Sequence, residues 1–310
     1  MPDISKPKLY IIAGPTAVGK SDLAVELARL MEGEVVSADS MQVYRHMDIG
    51  TAKITPKEMK GVPHHMIDII EPVEPYHVYD FKARSQKAVT EIYERGHIPI
   101  ICGGTGFYIQ ALLYDIDFSD QGKDEDMRNE LQKIAETEGP EKLHDILKEL
   151  DPDTAKDLHP NNVKRVIRAI EYARQNSETI YEHNAAQHLR VSPYDFRYIV
   201  LNDDRQAVYD RIDARVDKMI AKGLEDEVRA LVGMGCTPDM TSMQGIGYKQ
   251  MLMSINGEIS LEEAIRLIKR DSRHFAKRQI TWFKRERDTV WINIGEYTEQ
   301  ADICEHIMNL

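Results

Sequence analysis

An α/β fold, a doubly wound parallel sheet carrying an inserted all-helical segment, is predicted by three features of the sequence. Short apolar runs at Leu9 to Ala13, Glu34 to Ser37, His97 to Cys102 and Tyr198 to Leu201 each close in polar or glycine-rich residues, as strands buried on both faces do. Helical patterns such as Ser21 to Met31 and Asp80 to Arg95 lie between them, and strand alternating with helix builds a parallel sheet. From about Ser119 to Pro193 the strand signals stop and charged amphipathic stretches take over.

The expected core is therefore residues 1–118 with 194–310, and residues 119–193 form the insertion, with helices over Met127 to Thr137, Pro140 to Leu150 and Val163 to Gln175. Tyr198 to Leu201 returns the chain to the sheet, and helices from Arg205 onward complete it, the last running from about Leu261 to Arg287. With 310 residues, 42% of them hydrophobic and 30% charged, the chain can bury one large core and a second, smaller one. A formal net charge of −12 opposes general attraction to nucleic acid or anionic membranes, so a polyanion partner requires a local basic patch. Cys102, Cys236 and Cys304 stand far apart, without the paired spacing of zinc or redox motifs and without a disulfide framework. No apolar stretch approaches membrane-spanning length. A cytoplasmic monomer without membrane contact is the expectation.

Gly14-Pro15-Thr16-Ala17-Val18-Gly19-Lys20-Ser21 matches G-x-x-x-x-G-K-[ST] and sits between a strand and a helix, the context that a phosphate loop requires. The glycines let backbone N–H groups turn onto phosphate oxygens, and the helix that follows adds its positive N-terminal end. Lys20 adds a cation and Ser21 a magnesium ligand, so the sheet is of the P-loop NTPase-like kind. Kinases, ATPases and other transferases share this loop, and the acceptor side has to discriminate among them.

Asp39 follows the strand Glu34 to Ser37, which places a carboxylate beside the phosphate loop, where it either accepts a proton from an attacking group or caps a turn. The strand His97 to Cys102 ends in Gly103-Gly104-Thr105-Gly106, where a motor ATPase would carry a metal-binding aspartate. The missing carboxylate argues against a nucleotide-hydrolysing motor and leaves Thr105 either to contact substrate or to cap the next helix.

Taken together, these segments resemble the bacterial tRNA dimethylallyltransferases over almost the whole chain. The resemblance is carried by the phosphate loop, Asp39-Ser40-Met41-Gln42-Val43-Tyr44, Asp48-Ile49-Gly50-Thr51-Ala52-Lys53, Pro63-His64-His65, Gly103-Gly104-Thr105-Gly106, Gly245-Ile246-Gly247-Tyr248 and Lys277-Arg278-Gln279-Ile280-Thr281-Trp282. It implies transfer of a dimethylallyl group from dimethylallyl diphosphate to the N6 amine of the adenosine 3′ of the anticodon, with release of pyrophosphate and Mg2+ as counter-ion. The loop and Lys20 would then hold a leaving group, with Asp39 as general base and Thr105 against the substrates.

The resemblance further implies tRNA contact, with the anticodon stem-loop as partner, by Asp39, Ser40, Met41 and Gln42, by Arg128 and the segment Lys164 to Arg168 with Arg165, by Gly245, Gly247 and Tyr248, and by Lys277, Arg278, Gln279 and Lys284. On the last helix, Arg266, Arg270, Arg273, Lys277 and Lys284 fall within about 60° of one another at roughly 100° per residue, opposite Ile268, Phe275 and Trp282. Such a stripe is either a solvated face or a track for RNA phosphates, and the resemblance favours the track. Arg211 and Arg215 share a helical face and, by the resemblance, are expected at the diphosphate, a surface ion pair being the alternative. His64 and His65, as strand neighbours, point apart and are expected to line substrate or support structure. No zinc site is expected. Three rivals remain at this stage: a prenyltransferase acting on free adenine nucleotides, a small-molecule kinase in which Asp39 activates a hydroxyl, and an RNA-binding protein with a vestigial loop.

Overall fold

In the computed structural model, which describes residues 6–116, 124–176, 179–182 and 190–310, the apolar runs become strands of one six-stranded sheet. β1 (Lys8–Ala13), β2 (Gly33–Ser37), β3 (His64–His65), β4 (Ile98–Gly103), β5 (Asp195–Asn202) and β6 (Thr289–Asn293) lie in the order β3-β2-β4-β1-β5-β6, and every pairing is parallel. The central strands are buried nearly end to end because helices cover both faces. β3 and β6 were not expected. β3 is two histidines and β6 buries only Ile292, so neither has the apolar run that marks a central strand. The last long helix accordingly stops at Phe283, short of Arg287, and the chain turns into β6.

α1 (Lys20–Leu30) packs one face of the sheet, its Leu23 and Leu27 meeting Ile12, Val35, Ile100 and Ile199. α2 (Val78–Glu94) packs on β2 and β4, and α3 (Gly106–Leu113) packs against α2. Four helices of the inserted region, α4 (Glu125–Thr137), α5 (Pro140–Leu150), α6 (Pro152–Asp157) and α7 (Val163–Gln175), share their own core of Leu131, Leu143, Leu147, Val166 and Ile170. α5 opens with Pro140 after Gly139, and Asp151 caps α6 by accepting from Thr154 N at 3.0 Å. Contacts divide the chain into residues 1–113 with 193–310 and residues 114–192, so Tyr114 to Ile116 belong with the helical unit and Pro193 with the sheet. After β5 come α8 (Arg205–Ala221), α9 (Leu224–Gly233), α10 (Tyr248–Ile255), α11 (Leu261–Phe283) and, beyond β6, α12 (Gln300–Met308) against α1. No helix among the described residues is long and apolar enough to cross a membrane.

One charge is built into the sheet itself. Glu34, 1% exposed on β2, accepts two hydrogen bonds from Arg95 at 2.8 and 2.7 Å, and meets His65 Nε2 at 2.6 Å and His97 Nδ1 at 2.7 Å. A buried carboxylate is tolerated only with such pairing, and the Arg95 hydrogen bonds hold its pKa down at about 2. Because the folded pKa lies below the ordinary carboxylate value, this stabilisation is complete above about pH 5 and is lost as pH falls through about 2. Glu34→Gln should cost about 2 kcal/mol at neutral pH, and the gap from wild type in urea unfolding should shrink on titration towards pH 3; a gap that does not change with pH would refute the charge pairing.

Candidate active site

The register of the sheet brings three loops to one place. Ile12 pairs with Cys102, Ala13 with Gly103 and Ser37 with Cys102, so β1, β2 and β4 end at the same level. Ala38 N–H donates to Cys102 O at 2.8 Å and Thr105 N–H to Ala38 O at 3.2 Å, which ties the loop after β2 to the loop after β4. A Cβ on Gly103 would collide with Ala38 O, so glycine is required for that approach. Ligands of parallel sheets bind at this edge.

The phosphate loop runs from β1 into α1, with Gly14 at φ +141° against Leu201 O and Gly19 at φ +87°. Lys20 Nζ folds back to donate to Pro15 O at 2.7 Å. Burial lowers its pKa to about 8, against the opposing pull of the Cys102 and Asp39 charges. Gln279 of α11 reaches across two loops: its Oε1 accepts from Thr16 N–H at 2.9 Å and its Nε2 donates to Gly104 O at 3.0 Å. A side chain on Gly104 would fall on that amide. Gln279, expected at the RNA, is thus 6% exposed and braces the phosphate loop.

A cavity opens between these loops, lined by Lys20, Ser21, Asp39, Gln42, His64 and Arg215, with Ile54, Ile67 and Phe275 supplying apolar wall. Asp39 Oδ1 accepts from Met41 N at 2.8 Å and Gln42 N at 3.3 Å, a turn-capping arrangement, and Oδ2 is unshared among the described residues. One carboxylate oxygen of Asp39 thus caps the turn, and the other is left without a hydrogen-bond partner among the described residues. Arg215 donates to Thr51 O at 3.3 Å; burial lowers its pKa, which the Asp39 charge partly offsets. Of the two arginines expected at the diphosphate, Arg211 donates to the phosphate-loop carbonyl Ala17 O at 3.0 Å and pairs with Asp203 at 2.7 Å. His64 faces the cavity and His65 faces Glu34, as strand alternation requires. Thr105 starts α3 with its carbonyl accepting from Tyr108 and Ile109, and its hydroxyl makes no hydrogen bond among the described residues. Those residues hold no cluster of three or more His, Cys, Asp or Glu suited to a metal.

The residues expected at tRNA separate into two kinds. Lys277, Arg278 and Lys284 are exposed on or just beyond α11, Arg278 lying 5.6 Å from the Phe275 ring centre, and Lys164, Arg165 and Arg168 are exposed on α7. By contrast Arg266, Arg270 and Arg273 are held by Glu263, Asp271 and Asp213, and Arg128 by Glu171. The buried stripe of α11 is Ala264, Ile268, Ala276, Gln279 and Phe283, with Phe275 and Trp282 only half-buried. Ser40, Met41 and Gln42 are half-buried beside the cavity, Met41 lying where a Cβ on Gly245 would be, and Gly247 precedes α10. Tyr248 is 1% exposed. Gln279 is the site residue whose place the sequence missed; the available signal was a glutamine on the buried side of an otherwise apolar stripe.

A phosphate loop beside a carboxylate oxygen unshared among the described residues, in a cavity with two cations that bond there only to backbone carbonyls, defines a P-loop enzyme built to hold an anionic substrate. The model of the IPP transferase family matches residues 42–286, and the chain belongs to that family. It is 53% identical over 302 residues to the tRNA dimethylallyltransferase of Lachnoclostridium phytofermentans, covering 97% of this chain and 96% of that one. The full-length tRNA isopentenylpyrophosphate transferase of Bacillus halodurans superposes with a TM-score of 0.73 at 44% identity, covering 98% of this chain and 96% of that one. A eukaryotic dimethylallyltransferase acting on tRNA superposes at 0.78 with 29% identity, over 96% of this chain and 77% of the other.

The Lys20 ammonium loses its charge as pH rises through about 8, so affinity for inorganic pyrophosphate, measured by titration calorimetry, should fall between pH 8 and 9.5. Lys20→Arg, which keeps its charge there, should lack that decline; an identical pH profile in the two proteins would exclude Lys20 as its source.

Proposed function

We propose that this chain transfers the dimethylallyl group of dimethylallyl diphosphate to N6 of the adenosine immediately 3′ of the anticodon in tRNA, releasing pyrophosphate. The observation that carries the reading is the free Oδ2 of Asp39 in the same cavity as Lys20 and Arg215, in a chain of the IPP transferase family. Loop amides, Lys20 and Arg215 bind the diphosphate, where their charge favours the electron pair that arrives as the allylic C–O bond breaks. The adenine amine is a weak nucleophile because its lone pair is delocalised into the ring. As its nitrogen bonds to the allylic carbon, its proton passes to Asp39 Oδ2, and the two backbone N–H groups on Oδ1 keep that carboxylate aimed. Ile54, Ile67 and Phe275 give an apolar wall that suits a prenyl chain and excludes water.

Magnesium is the ion we assign to the diphosphate. Such an ion keeps several waters and phosphate oxygens as ligands, so a single hydroxyl at the cavity, that of Ser21, fits it without a carboxylate cluster. When bound it supplies neutralising charge to the leaving group. Lys277, Arg278 and Lys284 on one unit and Lys164, Arg165 and Arg168 on the other, without carboxylate partners among the described residues, are the surfaces we assign to RNA phosphates of the anticodon stem-loop.

Incubation with magnesium, radiolabelled dimethylallyl diphosphate and either unmodified tRNA or AMP tests the reading. Label should enter tRNA and not AMP; label in AMP alone would move the activity to free nucleotides. Asp39→Asn, which keeps an acceptor for the turn, should lower kcat by about 10²- to 10⁴-fold with tRNA binding intact, and unchanged turnover would remove Asp39 from the proton transfer.

A further inference from the structure

The carboxylate of Glu227, in the first turn of α9, is saturated by donors from sequence-distant segments. Its Oε2 accepts from Asp48 N at 2.8 Å and Ile49 N at 2.7 Å, and its Oε1 from Gly50 N at 3.0 Å and the Tyr248 hydroxyl at 2.6 Å. Three consecutive backbone N–H groups converging on one side chain form an anion nest, here filled by the protein's own carboxylate. Every partner donates, so the side chain must be acceptor-only, a condition that glutamate meets and glutamine cannot. The Tyr248 ring lies where a Cβ on Gly50 would stand, which leaves no freedom to tilt the loop. Burial, and then the Glu227 charge, raise the Tyr248 pKa and keep its hydroxyl a donor.

The clamped loop leads directly to the cavity. Thr51 follows Gly50, with its hydroxyl tied to Met47 O at 2.6 Å, and its carbonyl accepts from Arg215 at 3.3 Å and from Gln42 Nε2 at 3.5 Å. Arg215 and Gln42 both line the cavity beside Asp39 and Lys20. From the opposite side, Lys53, its side chain 5% exposed, bonds to Tyr44 O, Asp48 and Asp68. The segment is thus gripped at two points, and its Thr51 carbonyl carries the hydrogen bond to Arg215 of the cavity.

We propose that Glu227, with Tyr248, is a positioning residue that sets the Thr51 carbonyl and through it the aim of Arg215 at the diphosphate. This rests on the preceding reading only in that the cavity holds a diphosphate. It gives Tyr248 a role inside the enzyme, distinct from the contact with tRNA that the family resemblance implies for its segment.

The test uses the full chain and inorganic pyrophosphate as probe, with the thermal midpoint of each variant recorded alongside. Glu227→Gln should weaken pyrophosphate binding about tenfold, and Tyr248→Phe, which removes one of four donors, about threefold. KM for dimethylallyl diphosphate should rise in the same proportion while KM for tRNA stays at the wild-type value, a split that a merely lower folding stability does not produce. Unchanged pyrophosphate affinity in both variants, or a rise in KM for tRNA instead, overturns the proposal. If Glu227→Gln fails to fold, Tyr248→Phe carries the test by itself. Wild-type protein that binds no pyrophosphate overturns the diphosphate reading and the positioning role together, whereas binding that every folded variant leaves untouched overturns only the latter.

Discussion

One amide holds the catalytic edge of this protein together. Gln279 receives a hydrogen bond from Thr16 N–H and gives one to Gly104 O, so the loops after β1 and β4 are linked through a helix 263 and 175 residues further along the chain. The task needs an acceptor and a donor on one short side chain, which excludes glutamate and lysine alike. Because its two partners are backbone groups, the spacing of the phosphate loop from Gly104 is set by the amide's own width. Glycines at 103 and 104 permit the approach, since a methyl group at either position would occupy the space of Ala38 O or of the amide.

Charge is handled in two contrasting ways. Where it serves the scaffold it is matched by opposite charge: Glu34 meets Arg95, His65 and His97, Arg211 meets Asp203, and Arg128 meets Glu171. In the cavity it is left short of counter-charge. Lys20 and Arg215 bond only to backbone carbonyls among the described residues, and burial weakens the hold of both on their protons. Under the proposed function, a diphosphate would supply the missing negative charge and offset the cost of desolvating the two cations as it binds. The same division runs along α11, whose N-terminal arginines are paired and whose C-terminal cations are exposed, which confines the unpaired basic surface of that helix to its C-terminal end.

Much of this architecture was readable one residue at a time. The phosphate loop, the four buried strands, the helical insertion and Asp39 at the end of its strand depend on interactions within about ten residues: apolar runs, helical period, glycine turns and a turn-capping carboxylate. The family likeness of the site segments was legible for the same reason, since each is a short contiguous string.

What the sequence withheld were pairings across long separations. β6 entered the sheet because β5 offered an edge, and its own pattern, with Ile292 alone buried, did not announce it. Arg211 and Arg215 share a helical face, and only packing against the loop gave the first to Asp203 and the second to the cavity. Gln279 and Tyr248 read as RNA contacts by likeness, yet tertiary structure buried both against loops more than 170 residues away. Sequence determined which segments could be strand, helix or anion-binding turn, because local backbone energetics decide that. Which side chain completes which turn was decided by the folded chain, because a buried donor or acceptor takes whichever partner the packing brings within about 3 Å.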